Sequence, residues 1–133
     1  MLAHIGWVFL LYAWLTVARA QAVRCGEVDY SSFEFNREEP PAVARIRLNL
    51  ANQFELPVFF YALVVLLIAL GKVTMFDVIA AWVFVAGRVV HTLVQTLTDN
   101  VPLRGRVFMI NALAVLALAA HVTLIAFDGV GRP

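Results

Sequence analysis

The sequence predicts an all-α membrane protein, a four-transmembrane-helix up-down bundle. Hydrophobic residues make up 62% of the 133 positions and charged residues only 14%, whereas a soluble domain is about 45–50% apolar and about 25% charged. The apolar residues gather into four stretches, each near the roughly 20 residues that cross a bilayer as a helix. The basic residues are spread unevenly over the connections. Such a composition excludes an ordinary soluble domain, a disordered chain and a disulfide scaffold. The net charge of +1 says nothing about partners, and no nucleic acid is expected. The single cysteine, Cys25, has no internal partner for a disulfide.

The chain reads as a single domain over residues 1–133, without repeats or low-complexity tracts. The first span covers about 2–18, with IGWVFLLYAWLTV at its heart. The others cover about 50–70, 75–98 and 106–127. A long polar segment, 19–49, joins the first two. Pro40-Pro41 breaks any helix there, and residues 42–49 can begin the second helix early. Gly71-Lys72 makes a tight second connection. The third, TDNVPLRGR, is short, with Asn100 and Pro102 as turn formers.

Arginine placement predicts orientation. Loop one carries Arg19, Arg24, Arg37, Arg45 and Arg47, and loop three carries Arg104 and Arg106. The other side has only Lys72 and Arg132. The positive-inside rule then puts loops one and three in the cytoplasm and both termini outside, as expected of a multi-pass protein of the inner or plasma membrane. A competing reading takes Ala18-Arg19-Ala20 as a signal-peptide cleavage site. The lack of Lys or Arg before the apolar run argues against it, and cleavage would leave the arginine-rich loop outside.

Ionisable groups at membrane depth cost roughly 2.5–3.5 kcal/mol each on insertion scales and are functional candidates by default. Here they are Glu55, Arg88, His91 and His121. Asn52, Gln53, Gln95 and Asn111 add uncharged polarity. Asn52 and Glu55 are three apart and share a helix face. Arg88, His91 and Gln95 follow at i, i+3 and i+7, again on one face. Both stripes point toward the cytoplasmic ends of their helices. Arg104 lies just beyond, in loop three, and Arg45 and Arg47 lie just before the second span. The set describes a pocket for an anionic, partly amphipathic ligand. A structural reading stands beside it: Glu55 pairing with Arg88, Arg88 snorkelling to the headgroups, and His91 bonding between helices. Pro57, one turn into the second span, bends that helix; either the bend sets how Asn52 and Glu55 aim, or it is a proline of the kind a membrane helix readily tolerates.

No metal is expected. Haem needs two facing histidines, but His91 and His121 differ in depth by roughly 13 Å. His4 and His121 are closer in depth, both toward the outer side.

The segments Asn52-Gln-Phe-Glu55-Leu-Pro57, Gly87-Arg88-Val-Val-His91-Thr and Pro102-Leu-Arg104 resemble the membrane-associated proteins in eicosanoid and glutathione metabolism, the MAPEG family. The spacing from Arg88 to Arg104 is similar to that of its prostaglandin E synthase branch. The resemblance implies a four-helix homotrimer that binds glutathione as co-substrate between subunits near the cytoplasmic face. A lipophilic electrophile would enter from the membrane lipids. It further implies that Asn52 and Glu55 hold the polar groups of the tripeptide and that Arg88 and His91 line the same pocket. Arg104 stands where the family places the arginine that stabilises the glutathione thiolate, and Arg24 corresponds to a first-loop arginine contacting the tripeptide.

The chemistry suits an arginine. A thiol near pKa 8.5 attacks only as thiolate, and a guanidinium keeps its charge while favouring that form. Three positions depart from the branch. Ala51 replaces an arginine, Gln95 a tyrosine and Gly105 a serine. Arg47 or Arg45, about one turn before Ala51, would replace the missing charge. The expected function is a thiol transferase or peroxidase acting on lipophilic electrophiles; the alternative is a non-enzymatic member that binds lipid or serves as a scaffold.

Overall fold

In the computed structural model, residues 1–34 and 39–130 are described. Arg37 and Arg132, used above for orientation, lie outside them. The described chain forms five α-helices and no strand. They are α1 (Leu2–Arg24), α2 (Pro41–Ala51), α3 (Leu56–Ala69), α4 (Met75–Leu97) and α5 (Val101–Val130). Two short 3₁₀ segments lie at Tyr30–Phe33 and Asn52–Phe54. Four segments are long and apolar enough to cross a membrane: Leu2–Arg24, Pro41–Ala69, Met75–Leu97 and Val101–Asp128. The chain is thus a four-span helical membrane protein.

The boundaries shift outward at the arginine-rich end. The first span continues past residue 18 to Arg24. Gly26, at φ 70°, then closes the helix: its N–H reaches Val23 O and that of Glu27 reaches Ala22 O. Glycine takes this left-handed position without strain. Gly71, at φ 63°, closes α3 in the same way, with Lys72 N–H on Leu67 O.

The second span starts early, at Pro41, because proline at the first helical turn needs no donor. Arg45 and Arg47 are therefore inside a helix rather than before one. The fourth span also starts early. Asn100 caps it, its Oδ1 accepting from Leu103 N–H at 2.9 Å, and Pro102 occupies the first turn. Asn100 and Pro102 thus begin a helix rather than shape a loop. Arg104 and Arg106 ride on its first two turns.

The second span is broken, not merely bent. α2 ends at Ala51, the chain tightens over Asn52–Phe54, and Glu55 (φ −97°, ψ −98°) belongs to neither helix. Pro57 sits in the first turn of α3.

α1 runs parallel to α4, with His4 against Phe84 and Trp7 Nε1 donating to Thr92 Oγ1. Both helices are 23 residues long, so with the start of α1 near the level of Phe84 its far end extends about 13 Å past the end of α4. α1 packs on α2 in a cluster of Leu11, Leu15, Ala22, Val43, Ile46 and Leu50. Outside this contact, Glu39 joins both helices. Its oxygens accept from Arg19 Nη2 at 2.7 Å and Arg47 Nε at 2.6 Å. Burial opposes ionisation of Glu39, but the two arginines prevail and hold its carboxyl below the ordinary range.

A second apolar core fills the other half of the bundle, where α3, α4 and α5 meet. Phe60 and Phe84 stack there at 4.2 Å between centroids, and Leu118 is fully buried. Large apolar side chains such as Phe9, Phe59, Ile79 and Leu116 face outward. That distribution suits a surface in lipid, where no water drives apolar groups inward.

Candidate functional site

Between the two apolar cores lies a buried polar layer. α2 supplies Asn49, the 3₁₀ turn supplies Asn52 and Gln53, and α4 supplies Arg88, His91, Thr92 and Gln95. Arg88 is sealed from solvent. Its Nε donates to Gln53 Oε1 at 3.0 Å and its Nη2 to the Asn52 carbonyl at 2.8 Å. The helix break explains the second bond. A carbonyl released from the helical ladder needs a donor at membrane depth, and Arg88 provides it.

The layer continues on both sides. Gln53 Nε2 donates to Asn49 O and Oδ1. Asn49 Oδ1 also accepts from Thr92 Oγ1 at 2.9 Å. Gln95 Oε1 accepts from Asn49 Nδ2 at 3.0 Å and Asn52 Nδ2 at 3.3 Å. Behind Gln53, His4 is fully buried. Its Nε2 donates to Gln53 Oε1 at 3.2 Å, and its Nδ1 accepts from the Tyr61 hydroxyl at 2.6 Å. The roles of the two ring nitrogens follow from Gln53 Oε1 being an acceptor only.

Gln95 connects this layer to the surface. A groove of about 130 Å³ is lined by Gln95, Arg45, Asp99, Asn100 and Arg104 among others. Arg45 pairs with Asp99 across it. Arg104 is exposed, and among the described residues no carboxylate lies in ion-pair range of it.

The anticipated residues fall into separate groups. Asn52, Arg88 and Gln95 come together, and Arg104 lies at the groove beside Gln95. His91 is buried with its ring 6.3 Å from that of Phe108. His91 Nδ1, Arg88 Nη1 and both side-chain heteroatoms of Asn111 have no hydrogen-bond partner among the described residues. Glu55 is exposed and does not share a face with Asn52, because the helix is interrupted between them. It forms no ion pair with Arg88. Nor does Arg88 snorkel: its side chain is fully buried, with Nε and Nη2 bonded inside the bundle. Arg47 is committed to Glu39, so it is not a free replacement for the charge missing at Ala51. Arg24 is exposed at the end of α1, outside the groove and the polar layer.

The sequence did not single out Asn49, Tyr61 or Thr92, and it marked Gln53 only as added polarity. Asn49 and Gln53 at i, i+4, facing Arg88 and Thr92 at i, i+4, were the available signal. His4 was placed too far out; it lies at the level of Phe84 and Gln53. His121 sits nearer the far end, its Nδ1 2.8 Å from Asp77 Oδ1. Among the described residues no group of three or more His, Cys, Asp or Glu side chains could hold a metal ion.

Four spans enclosing a buried polar layer, under a cationic groove at one end, define a polytopic membrane protein with a polar site built into its bundle. The chain belongs to the MAPEG family, whose model matches residues 1–124. No curated protein and no solved structure matches it.

Proposed function

We propose that the protein is a membrane thiol transferase or peroxidase that binds glutathione, or a similar anionic thiol, at the arginine-rich end. The observation that carries this is Arg104. Its guanidinium is exposed beside Gln95 at the mouth of a groove that leads to the buried Arg88 layer. An anionic peptide would meet Arg104 first and amide groups behind it.

The groove's 130 Å³ is well below the roughly 300–1,000 Å³ of small-molecule sites. A second copy of the chain would supply the remaining wall, in keeping with a homotrimer whose sites lie between subunits. Exposed Glu55 would face the ligand or the neighbour there. The arginine-rich end would lie in the cytoplasm under the positive-inside rule.

In the reaction, the thiol loses its proton to solvent and Arg104 stabilises the thiolate. The sulfur then bonds to an electrophilic carbon delivered from the bilayer, and the leaving group departs with its electron pair. With 1-chloro-2,4-dinitrobenzene the C–Cl bond breaks and chloride leaves. Orientation of the two partners in one site supplies the rest of the rate.

A second reading, a lipid-binding or scaffold member, rests on a specific observation. Asn49 and Asn52 already occupy Gln95 Oε1, and Arg88 already occupies Gln53 and the Asn52 carbonyl. Much of the polar layer is thus satisfied without a ligand.

Calorimetric titration of the detergent-solubilised protein with glutathione, paired with chlorodinitrobenzene turnover, separates the two. The transferase reading expects saturable binding and a turnover that Arg104→Ala lowers by roughly 10- to 100-fold at pH 7 while the oligomer stays intact. No heat of binding and no turnover would leave the scaffold reading.

A further inference from the structure

The end of the bundle opposite the arginines holds a cavity of about 480 Å³ that the proposed thiol chemistry does not use. It exists because α1 is offset. The helix begins at Leu2, close to the level of Phe84, while α4 continues about 13 Å further, back to Met75. Over that distance α3, α4 and α5 have no fourth helix against them.

All four spans still contribute to its walls, through Ala3 of α1, Leu67 of α3, Ala81 and Trp82 of α4, and Leu118 of α5. Leu67 and Leu118 are essentially inaccessible and form the floor, whereas Trp82 is 61% exposed and marks a lateral opening. Close-packed protein interiors contain few voids larger than a water molecule. Water finds too few polar partners here to fill the space. The opening beside Trp82 faces outward, where the hydrocarbon of the bilayer lies, so the chain of a single lipid meets it directly.

One ionisable side chain lines the cavity, Asp77, with its carboxylate 4% exposed. Its Oδ2 accepts from Thr74 N and Thr74 Oγ1, both at 2.7 Å, and its Oδ1 accepts from His121 Nδ1 at 2.8 Å. A carboxylate has about four acceptor sites. Three are used, and Oδ1 retains one. Beside Asp77 a fatty-acid carboxylate would be repelled, and Met1, whose α-amino group is the alternative anchor for an acid, also lines the cavity; an ammonium head would have to leave water for hydrocarbon. A hydroxyl loses less on desolvation and donates the missing bond.

We propose that this cavity is a binding site for a single-chain lipid with a hydroxyl head. The hydrocarbon chain lies over Leu67, Ala81 and Leu118, and the hydroxyl donates to Asp77 Oδ1. The site is about 27 Å along α4 from Gln95, so it is separate from the groove at Arg104.

The test is native mass spectrometry of the full-length protein in CHAPS, whose rigid steroid cannot thread the cavity, titrated with dodecan-1-ol or dodecanoate at pH 8. One retained dodecan-1-ol per chain is expected, with at least tenfold weaker retention of dodecanoate. Ala81→Phe and, separately, Ala3→Leu fill the cavity and should each weaken dodecan-1-ol retention at least tenfold with the oligomeric mass unchanged. Asp77→Asn should narrow the preference over dodecanoate. Equal retention by wild type and both filling variants overturns the site. So does wild type that takes up no dodecan-1-ol while Ala81→Phe changes the oligomeric mass, because a second copy then fills the space. Equal retention of alcohol and acid overturns the role of Asp77.

Discussion

Arg88 Nε donates to Gln53 Oε1 at 3.0 Å, and both side chains are closed off from the surroundings. A membrane-buried guanidinium is thus held by a neutral amide and a backbone carbonyl, while the carboxylate two residues beyond Gln53, Glu55, is exposed. The broken second span makes this possible. It turns Gln53 and the Asn52 carbonyl inward and leaves Glu55 out.

Removing the acceptor should cost more than removing the charge. Gln53→Leu leaves the charged Arg88 buried without its Nε partner, which costs about 3 kcal/mol, the upper end for an unsatisfied buried donor. Arg88→Met removes the charge along with its need for partners and should cost less. Glu55→Ala, at an exposed position, should change stability by no more than about 0.5 kcal/mol. Thermal unfolding of the three variants in one detergent provides the ranking. A Glu55→Ala loss equal to that of Gln53→Leu would contradict it.

Arg104→Ala should act through the thiol's ionisation. A guanidinium near the sulfur favours the thiolate, so its removal raises the bound thiol's pKa. The pH profile of kcat/KM should move to higher pH by about one to two units, a loss of roughly 10- to 100-fold at pH 7. Arg104→Lys should recover part of the shift. A profile unmoved in Arg104→Ala would remove the proposed role.

The Arg19–Glu39–Arg47 clamp should be sensitive to acid. Glu39 has a carboxyl held below its ordinary value in the folded protein. Its contribution is complete above the unfolded-state pKa, about 4.3, and is lost as pH falls through the lower folded-state value. Between pH 5 and pH 3 the α1–α2 contact should loosen, read as faster amide exchange over residues 15–24. In Glu39→Gln that pH-dependent step should be absent.

Gly87 and Asn111 are packed too closely for a side chain at 87. A Cβ there would overlap Asn111 Oδ1. Gly87→Ala should therefore displace the buried Asn111 side chain, at a cost toward the lower end of the roughly 1–3 kcal/mol typical of overpacking. The double variant Gly87→Ala/Asn111→Ala should recover most of that loss. Additive losses in a double-mutant cycle would show that the two positions do not meet.

Much of the architecture was legible because lipid imposes few solutions. Four apolar stretches of spanning length can only be helices at membrane depth, and their positions followed from hydropathy alone. Arg88, His91 and Gln95 could likewise be placed on one face, since α4 is regular and the helical period holds along it. The N-x-x-E and R-x-x-H motifs were enough to point to the family.

The tertiary structure decided which of those polar residues meet. Asn52 and Glu55 were assigned to one face by helical spacing, but spacing does not report a break, and Pro57 with the irregular backbone at Glu55 separated them. Arg47 looked free in sequence and is taken by Glu39, from a segment whose approach no local pattern reveals. His4, near the start of the chain, is buried against Gln53 because α1 is offset along α4 by about nine residues. That offset is set by packing between helices distant in sequence. It places a histidine beside the Arg88 layer and opens the cavity at Asp77.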